Sequence, residues 1–130
     1  MERSSEVQSI QGLLWKLKKG VGGSTWKKHW VYADNDQFLQ WSGQSRPTRS
    51  EKPKYAFKLA SIDIKNSDAR KYAFELIGTV SQVAMTFAAD DAVAFSKWMR
   101  ILTHKIVRQA TINRQMPDHE SITSYEQSQG

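Results

Sequence analysis

The sequence predicts a mainly β fold: seven antiparallel strands in a small barrel or sandwich, capped by one C-terminal amphipathic helix. Between residues 10 and 88, apolar and polar residues alternate in short segments, which is the pattern of half-buried strands. Turn-forming residues separate these segments. The apolar period lengthens to three or four residues only after residue 89, and no helical pattern stands between the strands. This pattern argues against a parallel α/β fold.

The first three segments are predicted to form a meander. These strands are 10–18, 26–33 and 38–42. Because side chains two residues apart in a strand point the same way, Lys16 shares a face with Leu14, and Lys27 and His29 share a face with Val31. We expect Leu14 and Val31 to face the core. The glycine-rich segment 19–25 is predicted to be the turn of the first hairpin.

Four more strands follow a long connection. They are predicted at residues 55–59, 62–64, 72–77 and 83–88. The connection, residues 43–54 (GQSRPTRSEKPK), contains two prolines and many polar residues. Proline cannot donate to a central β ladder, so we predict a long mobile loop here.

The C-terminal helix is predicted from Asp90 to about Arg108. Its apolar stripe contains Ala94, Phe95, Trp98, Ile101, Leu102 and Ile106. Asp90 or Asp91 is the expected N-cap, because a carboxylate there can accept hydrogen bonds from the first free backbone N–H groups. We therefore predict one domain at residues 10–108, a flexible segment at 1–9, and a disordered polar tail at 109–130, where large apolar residues are few.

The charge is unevenly distributed along the chain. The net charge is +6. Residues 10–58 carry ten Lys or Arg against three acids, whereas residues 1–9 and 109–130 together have a net charge of −3. A one-sided positive field favours a polyanionic partner, either a phosphorylated lipid surface or a nucleic acid.

Several classes of site are excluded or disfavoured. The chain has no cysteine, which excludes disulfides, thiolate zinc sites and cysteine nucleophiles. The glycines at 20–23 are not followed by the GKS or GKT of a P-loop. His29, His104 and His119 lack the spacing of metal ligands, and no nucleophile motif is present. We therefore predict a protein that is not an enzyme and has no cofactor and no metal.

The first hairpin is predicted to carry a cationic cup. Lys16, Lys27 and His29 extend the inward faces of its two strands toward the mouth of the barrel, beside the turn amides. Convergent cations and backbone N–H groups suit a phosphate. Further basic residues are expected around this mouth or in the following loop: Lys18, Lys19, Lys28, Arg46, Arg49, Lys52 and Lys54.

Three motifs resemble those of the pleckstrin homology (PH) domain. Residues 12–16 (GLLWK) resemble its first-strand G-x-L-x-K, residues 26–31 (WKKHWV) resemble its second-strand W-K-x-R-(W/F)-(F/V), and Trp98 resembles its helix tryptophan. The resemblance covers about residues 10–108. It implies two roughly orthogonal antiparallel sheets of four and three strands, closed by a C-terminal helix.

The resemblance also implies a role for the cup. In lipid-binding members, a first-strand Lys and a second-strand Lys and Arg hold the inositol phosphates, which assigns this role to Lys16 and Lys27. His29 stands in place of the arginine, and Gln40 stands near the position of a third-strand tyrosine. A neutral histidine offers one donor, whereas arginine offers a charged fork. A simple headgroup, such as phosphatidic acid or a monophosphoinositide, is therefore favoured over a highly phosphorylated one.

The predicted function is that of a peripheral-membrane module that binds anionic phospholipids and recruits its protein to membranes. We expect a cytoplasmic monomer that associates reversibly with the cytosolic face of a membrane. One alternative is a protein-interaction or autoinhibitory PH domain with little lipid binding. A second, less favoured alternative is a basic β-barrel that binds single-stranded nucleic acid, which would need aromatic side chains exposed on a sheet face near the lysines.

Overall fold

A computed structural model describes residues 9–115 of the 130-residue chain. All seven predicted strands and the C-terminal helix are confirmed. The strands are β1 (Ile10–Gly20), β2 (Gly23–Ala33), β3 (Gln37–Gln40), β4 (Tyr55–Lys58), β5 (Ile62–Ser67), β6 (Ala73–Gly78) and β7 (Ala84–Ala88). A short 3-10 helix, Leu59–Ser61, joins β4 to β5, and the α-helix α1 covers Ala92–Gln115.

The strands form one antiparallel sheet in the order β4-β3-β2-β1-β7-β6-β5. Strand β1 joins its two halves. It pairs with β2 along its whole length, from Ile10↔Ala33 to Gly20↔Gly23, but with β7 only at Trp15↔Ala88 and Lys16↔Phe87. The edge strands β4 and β5 are not paired with each other, so the sheet curves around the core without closing.

The β1–β2 hairpin is longer than predicted. Its strands continue to Gly20 and Gly23, which leaves Val21 and Gly22 as the turn, whereas the sequence indicated a turn over residues 19–25. Gly23 adopts φ 122°, a conformation that glycine takes at little cost because it has no Cβ. The hairpin can therefore turn tightly, with Val21 and Gly22 alone at its tip.

The core lies between the curved sheet and α1. Leu14 and Val31 are 1% and 0% exposed, as the alternation predicts. Phe38 and Phe87 pack edge to face across the core, with ring centroids 5.3 Å apart. Trp98 of α1 is buried with them, which confirms its predicted core position. Burial of Leu14 and Val31 thus fixes which faces of β1 and β2 point inward. Lys16, Lys27 and His29 continue these faces toward the hairpin tip.

Helix α1 begins as predicted but ends later. The Asp91 carboxylate accepts a 2.8 Å hydrogen bond from the backbone N–H of Ala94, so Asp91 is the N-cap. The helix continues to Gln115, and residues 109–115, which the sequence assigned to a disordered tail, are helical. The Gln109 side chain donates to the Asn35 carbonyl at 2.8 Å, a tertiary contact that the sequence pattern does not reveal. The rest of that tail, and residues 1–8 of the predicted flexible segment, lie outside the described residues.

No helix within residues 9–115 combines the length and apolar character needed to cross a bilayer.

Candidate anion-binding site

The candidate site is a cleft that opens where β1 separates from β7. The two strands stop pairing after Lys16↔Phe87, although β1 continues to Gly20. The resulting cleft has a volume of about 490 Å³. The cleft is lined by residues 16–19 of β1, by residues of β2 and β6, and by the first residues of β7. The end of β3, the start of β4 and the connection between them complete the lining.

Lys16 lies at the centre of the cleft. Its ammonium donates a 2.9 Å hydrogen bond to Oε1 of Gln40, which is 1% exposed. The same nitrogen lies 4.1 Å from the ring centroid of Tyr55 and 5.9 Å from that of Phe87, both within cation–π range. These contacts hold a half-buried ammonium in one place, with its remaining N–H groups available to a ligand.

The position of Lys16 is electrostatically unfavourable for its own charge. Burial, and to a lesser extent the positive charges of Lys54 and Lys18, lower the pKa of Lys16 to about 8. A bound anion would favour the protonated ammonium and raise this pKa again. In the unliganded protein, the surroundings of Lys16 therefore disfavour its charged form.

Other lysines surround Lys16. The five that line the cleft are Lys16, Lys18, Lys19, Lys27 and Lys54. Lys27 stands directly opposite Lys16 in the β1–β2 register, and the Lys54 ammonium lies 5.6 Å from the same Tyr55 ring. Within residues 9–115, no carboxylate lies within 4.0 Å of any of these five ammonium groups. Glu75 also lines the cleft, but it pairs with Lys65 at 3.6 Å.

His29 lines the cleft, but its ring is held by backbone carbonyls. Its Nδ1 lies 2.9 Å from the Ser42 carbonyl and 3.1 Å from the Trp41 carbonyl. Because a carbonyl can only accept, Nδ1 carries a proton and, in the neutral ring, Nε2 carries none. Burial lowers the pKa of His29, as do Lys16 and Lys27, although the two carbonyl contacts oppose this shift. The neutral ring therefore offers an anion an acceptor in place of a donor.

Lys28, expected on the outside of the mouth, does not line the cleft. Neighbouring residues in a strand face opposite sides of the sheet. Lys28 accordingly lies on the outer face of β2, where its ammonium is 3.2 Å from the Asp90 carboxylate and 5.0 Å from the Trp15 ring. Asp90 also accepts a 2.8 Å hydrogen bond from Trp15 Nε1, and both donors lower the pKa of Asp90.

The basic residues of the β3–β4 connection divide into two groups. Lys54 lines the cleft because its backbone N–H donates to the Gln40 carbonyl at 2.7 Å, which ties the end of the connection to β3. Arg46, Arg49 and Lys52 are exposed and do not line the cleft. Their expected contribution is thus to the long-range field and not to the cleft itself.

Two residues of the cleft were missed as site residues. Gln40 accepts from Lys16, and Tyr55 stacks beneath its ammonium. A signal for both existed in the sequence, since Gln40 alternates with buried Phe38 and Tyr55 alternates with Phe57 on the inward faces of β3 and β4. What the sequence did not show is that these faces meet Lys16.

Comparisons with known proteins agree on the fold. A family model for the PH domain matches residues 8–107. Comparison with curated protein sequences finds no match. Among solved structures, the PH domain of human oxysterol-binding protein-related protein 11 is similar, with a TM-score of 0.69 and 20% identity over 86% of this chain and 91% of that chain.

Two other similar structures contain inositol phosphates. The Slm1 PH domain in complex with D-myo-inositol-4-phosphate has a TM-score of 0.60 and 13% identity, over 74% of this chain and 92% of that chain. The C-terminal PH domain of pleckstrin, in complex with D-myo-Ins(1,2,3,5,6)P5, has a TM-score of 0.61 and 19% identity, over 78% of this chain and 98% of that chain. These likenesses show the fold, and the family model matches most of the chain. The chain therefore belongs to the PH domain family.

Proposed function

We propose that this PH domain is a peripheral-membrane module that binds an anionic phospholipid headgroup in the lysine-lined cleft and recruits its protein to the cytosolic face of a membrane. PH domains are generally non-catalytic modules. The observation that carries the proposal is the environment of Lys16: a half-buried ammonium, oriented by Gln40 and surrounded by like charges. A phosphate would supply a negative charge close to Lys16, which has no carboxylate within 4.0 Å among residues 9–115.

The headgroup is expected to be simple. Lys16 and Lys27 approach the cleft from two adjacent strands and Lys54 from a third side, so one phosphate can contact several ammonium groups. The neutral His29 ring adds no charge to this set. The Slm1 complex with an inositol monophosphate shows that one similar PH domain accommodates such a headgroup. We therefore favour a monophosphoinositide or phosphatidic acid.

The geometry also suggests how the domain would approach a bilayer. Val21 at the hairpin tip is fully exposed, and Lys18 and Lys19 lie beside it at the cleft. Each basic residue near an anionic membrane contributes on the order of 1 kcal/mol, decreasing with salt. An apolar tip flanked by lysines is typical of a surface that enters the interfacial region of a membrane.

The nucleic-acid alternative requires exposed aromatic side chains on a sheet face near the lysines, and this requirement is only partly met. Trp15 and Trp26 do lie on the outer face of the β1–β2 hairpin near Lys28. However, the Arg70 guanidinium lies 4.7 Å from the Trp15 ring and 5.0 Å from the Trp26 ring. The ring faces that bases would stack on are thus already in contact with a cation of the chain itself. We therefore favour the lipid proposal.

The proposal is tested by vesicle co-sedimentation with a charge-reversal pair. Lys16→Glu with Lys27→Glu should abolish binding to vesicles that contain phosphatidylinositol 4-phosphate or phosphatidic acid. The matched control is Arg46→Glu with Arg49→Glu, which changes the net charge equally but leaves the cleft intact. It should retain most of the binding at near-physiological salt, where remote exposed charges are screened. Circular dichroism should show that both variants fold.

Three outcomes are informative. Loss of binding in the cleft variant alone supports recognition in the cleft. Equal loss in both variants would mean that the overall positive field, and not the cleft, attracts the membrane. If the wild-type domain binds neither vesicle, the lipid proposal is overturned, and a protein-interaction role becomes the leading alternative.

A further inference from the structure

A second, apolar cavity adjoins the lysine-lined cleft. This apolar groove has a volume of about 320 Å³, and its walls include Phe57, Ile62, Leu76 and Val83. It occupies the space between the edge strand β4 and the β5–β6–β7 part of the sheet. These edges do not pair, so backbone hydrogen bonds do not close that space. Met85 lines both the groove and the cleft, so the two are adjacent, and together they are called the slot.

Two stacked aromatic rings extend along one side of both the cleft and the groove. Tyr55 lines the cleft and Phe57 lines the groove, and their rings stack with centroids 6.2 Å apart and an interplanar angle of 10°. The Lys16 ammonium lies 4.1 Å from the Tyr55 centroid. A cation and an apolar surface therefore lie along one continuous wall, within the length of a short alkyl chain.

We infer that this slot binds a single-chain phosphate amphiphile, with the phosphate monoester in the cleft and the alkyl chain in the groove. The inference depends on the proposed function, because it places the phosphate in the same cleft. One covalently linked molecule fits better than two separate ligands, since the cleft and the groove share Met85 and are bridged by the stacked Tyr55 and Phe57 rings. Five lysines line the cleft, whereas the groove is mostly apolar and has one lysine, Lys58, in its lining. A phosphate head is therefore favoured in the cleft and an alkyl tail in the groove.

The exposure of the groove indicates that it has apolar surface to bury. Val80 and Val83, both in its wall, are 90% and 61% exposed. Each methylene that moves from water into the groove should strengthen binding about three- to fourfold. Because the groove is small, this increase should stop once the chain fills it. A rise followed by a plateau is the expected dependence on chain length.

The test is calorimetric titration with phosphates of increasing chain length. The probes are inorganic phosphate and butyl, hexyl and octyl phosphate, all below their micelle concentrations and without vesicles. Octanol is the control for a chain without a head. We expect affinity to rise from inorganic phosphate through the alkyl series, with weak binding of octanol. In Val83→Asn, the gain per methylene should fall while inorganic phosphate binds as before. The matched control is Val93→Asn on the exposed surface of α1, which should behave like the wild type.

The outcomes separate this inference from the proposed function. If alkyl phosphates bind no better than inorganic phosphate while headgroup-containing vesicles still bind, the groove does not hold a chain, and the inference alone is overturned. The same holds if the chain-length gain persists in Val83→Asn. If neither the phosphates nor the vesicles bind, the proposed function fails, and the inference fails with it.

Discussion

The lowered pKa of Lys16 predicts that headgroup binding weakens in mild alkali. Lys16 binds a phosphate well only when it is protonated, and its pKa in the unliganded protein is about 8. Its protonated fraction therefore falls from about nine-tenths at pH 7 to about one-tenth at pH 9, and the affinity should fall about tenfold. A phosphate monoester, whose second pKa is about 6, keeps its charge across this range.

The assay is calorimetric titration with soluble D-myo-inositol 4-phosphate at pH 7, 8 and 9 and constant ionic strength. Lys16→Arg is the matched control, because an arginine stays protonated throughout this range. Titration of other groups is common to both proteins, so the ratio of their affinities isolates Lys16. The reasoning is refuted if the wild-type affinity does not change with pH, or if Lys16→Arg loses affinity to the same extent.

The same pKa predicts a change in stability that needs no ligand. The unfolded chain holds the Lys16 proton up to its ordinary pKa of 10.5, whereas the folded protein releases it near pH 8. The unfolded state therefore binds more protons between these values, and this group makes the fold more stable as the pH rises across that window. Urea denaturation at pH 7.5 and 9.5 should show this gain relative to Lys16→Arg, and an identical pH response in the two proteins would contradict it.

Three further predictions follow from single residues. Because burial lowers the pKa of His29 and a bound phosphate favours its charged form, the affinity ratio of wild type to His29→Gln should rise as the pH falls from 7 to 5.5. A constant ratio in titrations over this range would exclude this contact. Val21→Asp should weaken vesicle binding about tenfold, since burial of a valine in the membrane is lost, but it should not weaken binding of the soluble headgroup. Val93→Asp is the control, and equal effects of the two substitutions on vesicle binding would contradict insertion of the tip. Asp91→Ala should lower the free energy of unfolding by about 1 kcal/mol in urea titrations, because the N-cap hydrogen bond from Ala94 is lost. An unchanged free energy of unfolding would argue against a stabilising N-cap at Asp91.

Much of the fold could be predicted because it depends on local periodicity. Alternation in β1 and β2 identified Leu14 and Val31 as core residues, and the helical period identified Trp98. Burial of the apolar face determines which side of a strand points inward, and a strand offers only two choices. Once Leu14 is inside, Lys16 must lie on the same face nearer the hairpin tip. That part of the candidate site was therefore accessible from the sequence.

Element ends were less predictable because they depend on contacts between distant residues. Helix α1 continues beyond residue 108, where Gln109 meets the Asn35 carbonyl of the β2–β3 turn. Lys28 was assigned to the mouth on charge alone, but it pairs with Asp90, which is 62 residues away in the sequence. A local pattern shows that a residue is basic and on a strand, but not which distant carboxylate its side chain meets.

The sequence by itself thus determined the β-rich fold, the inward face of the first hairpin and the excess of positive charge near it. Only the tertiary structure decided what surrounds Lys16. Gln40 and Tyr55 reach it because β2, β3 and β4 pair in sequence around the curved sheet. The cleft opens where β1 stops pairing with β7 after Lys16. The lowered pKa of Lys16 follows mainly from the burial of its ammonium between these strands, which no local sequence pattern encodes.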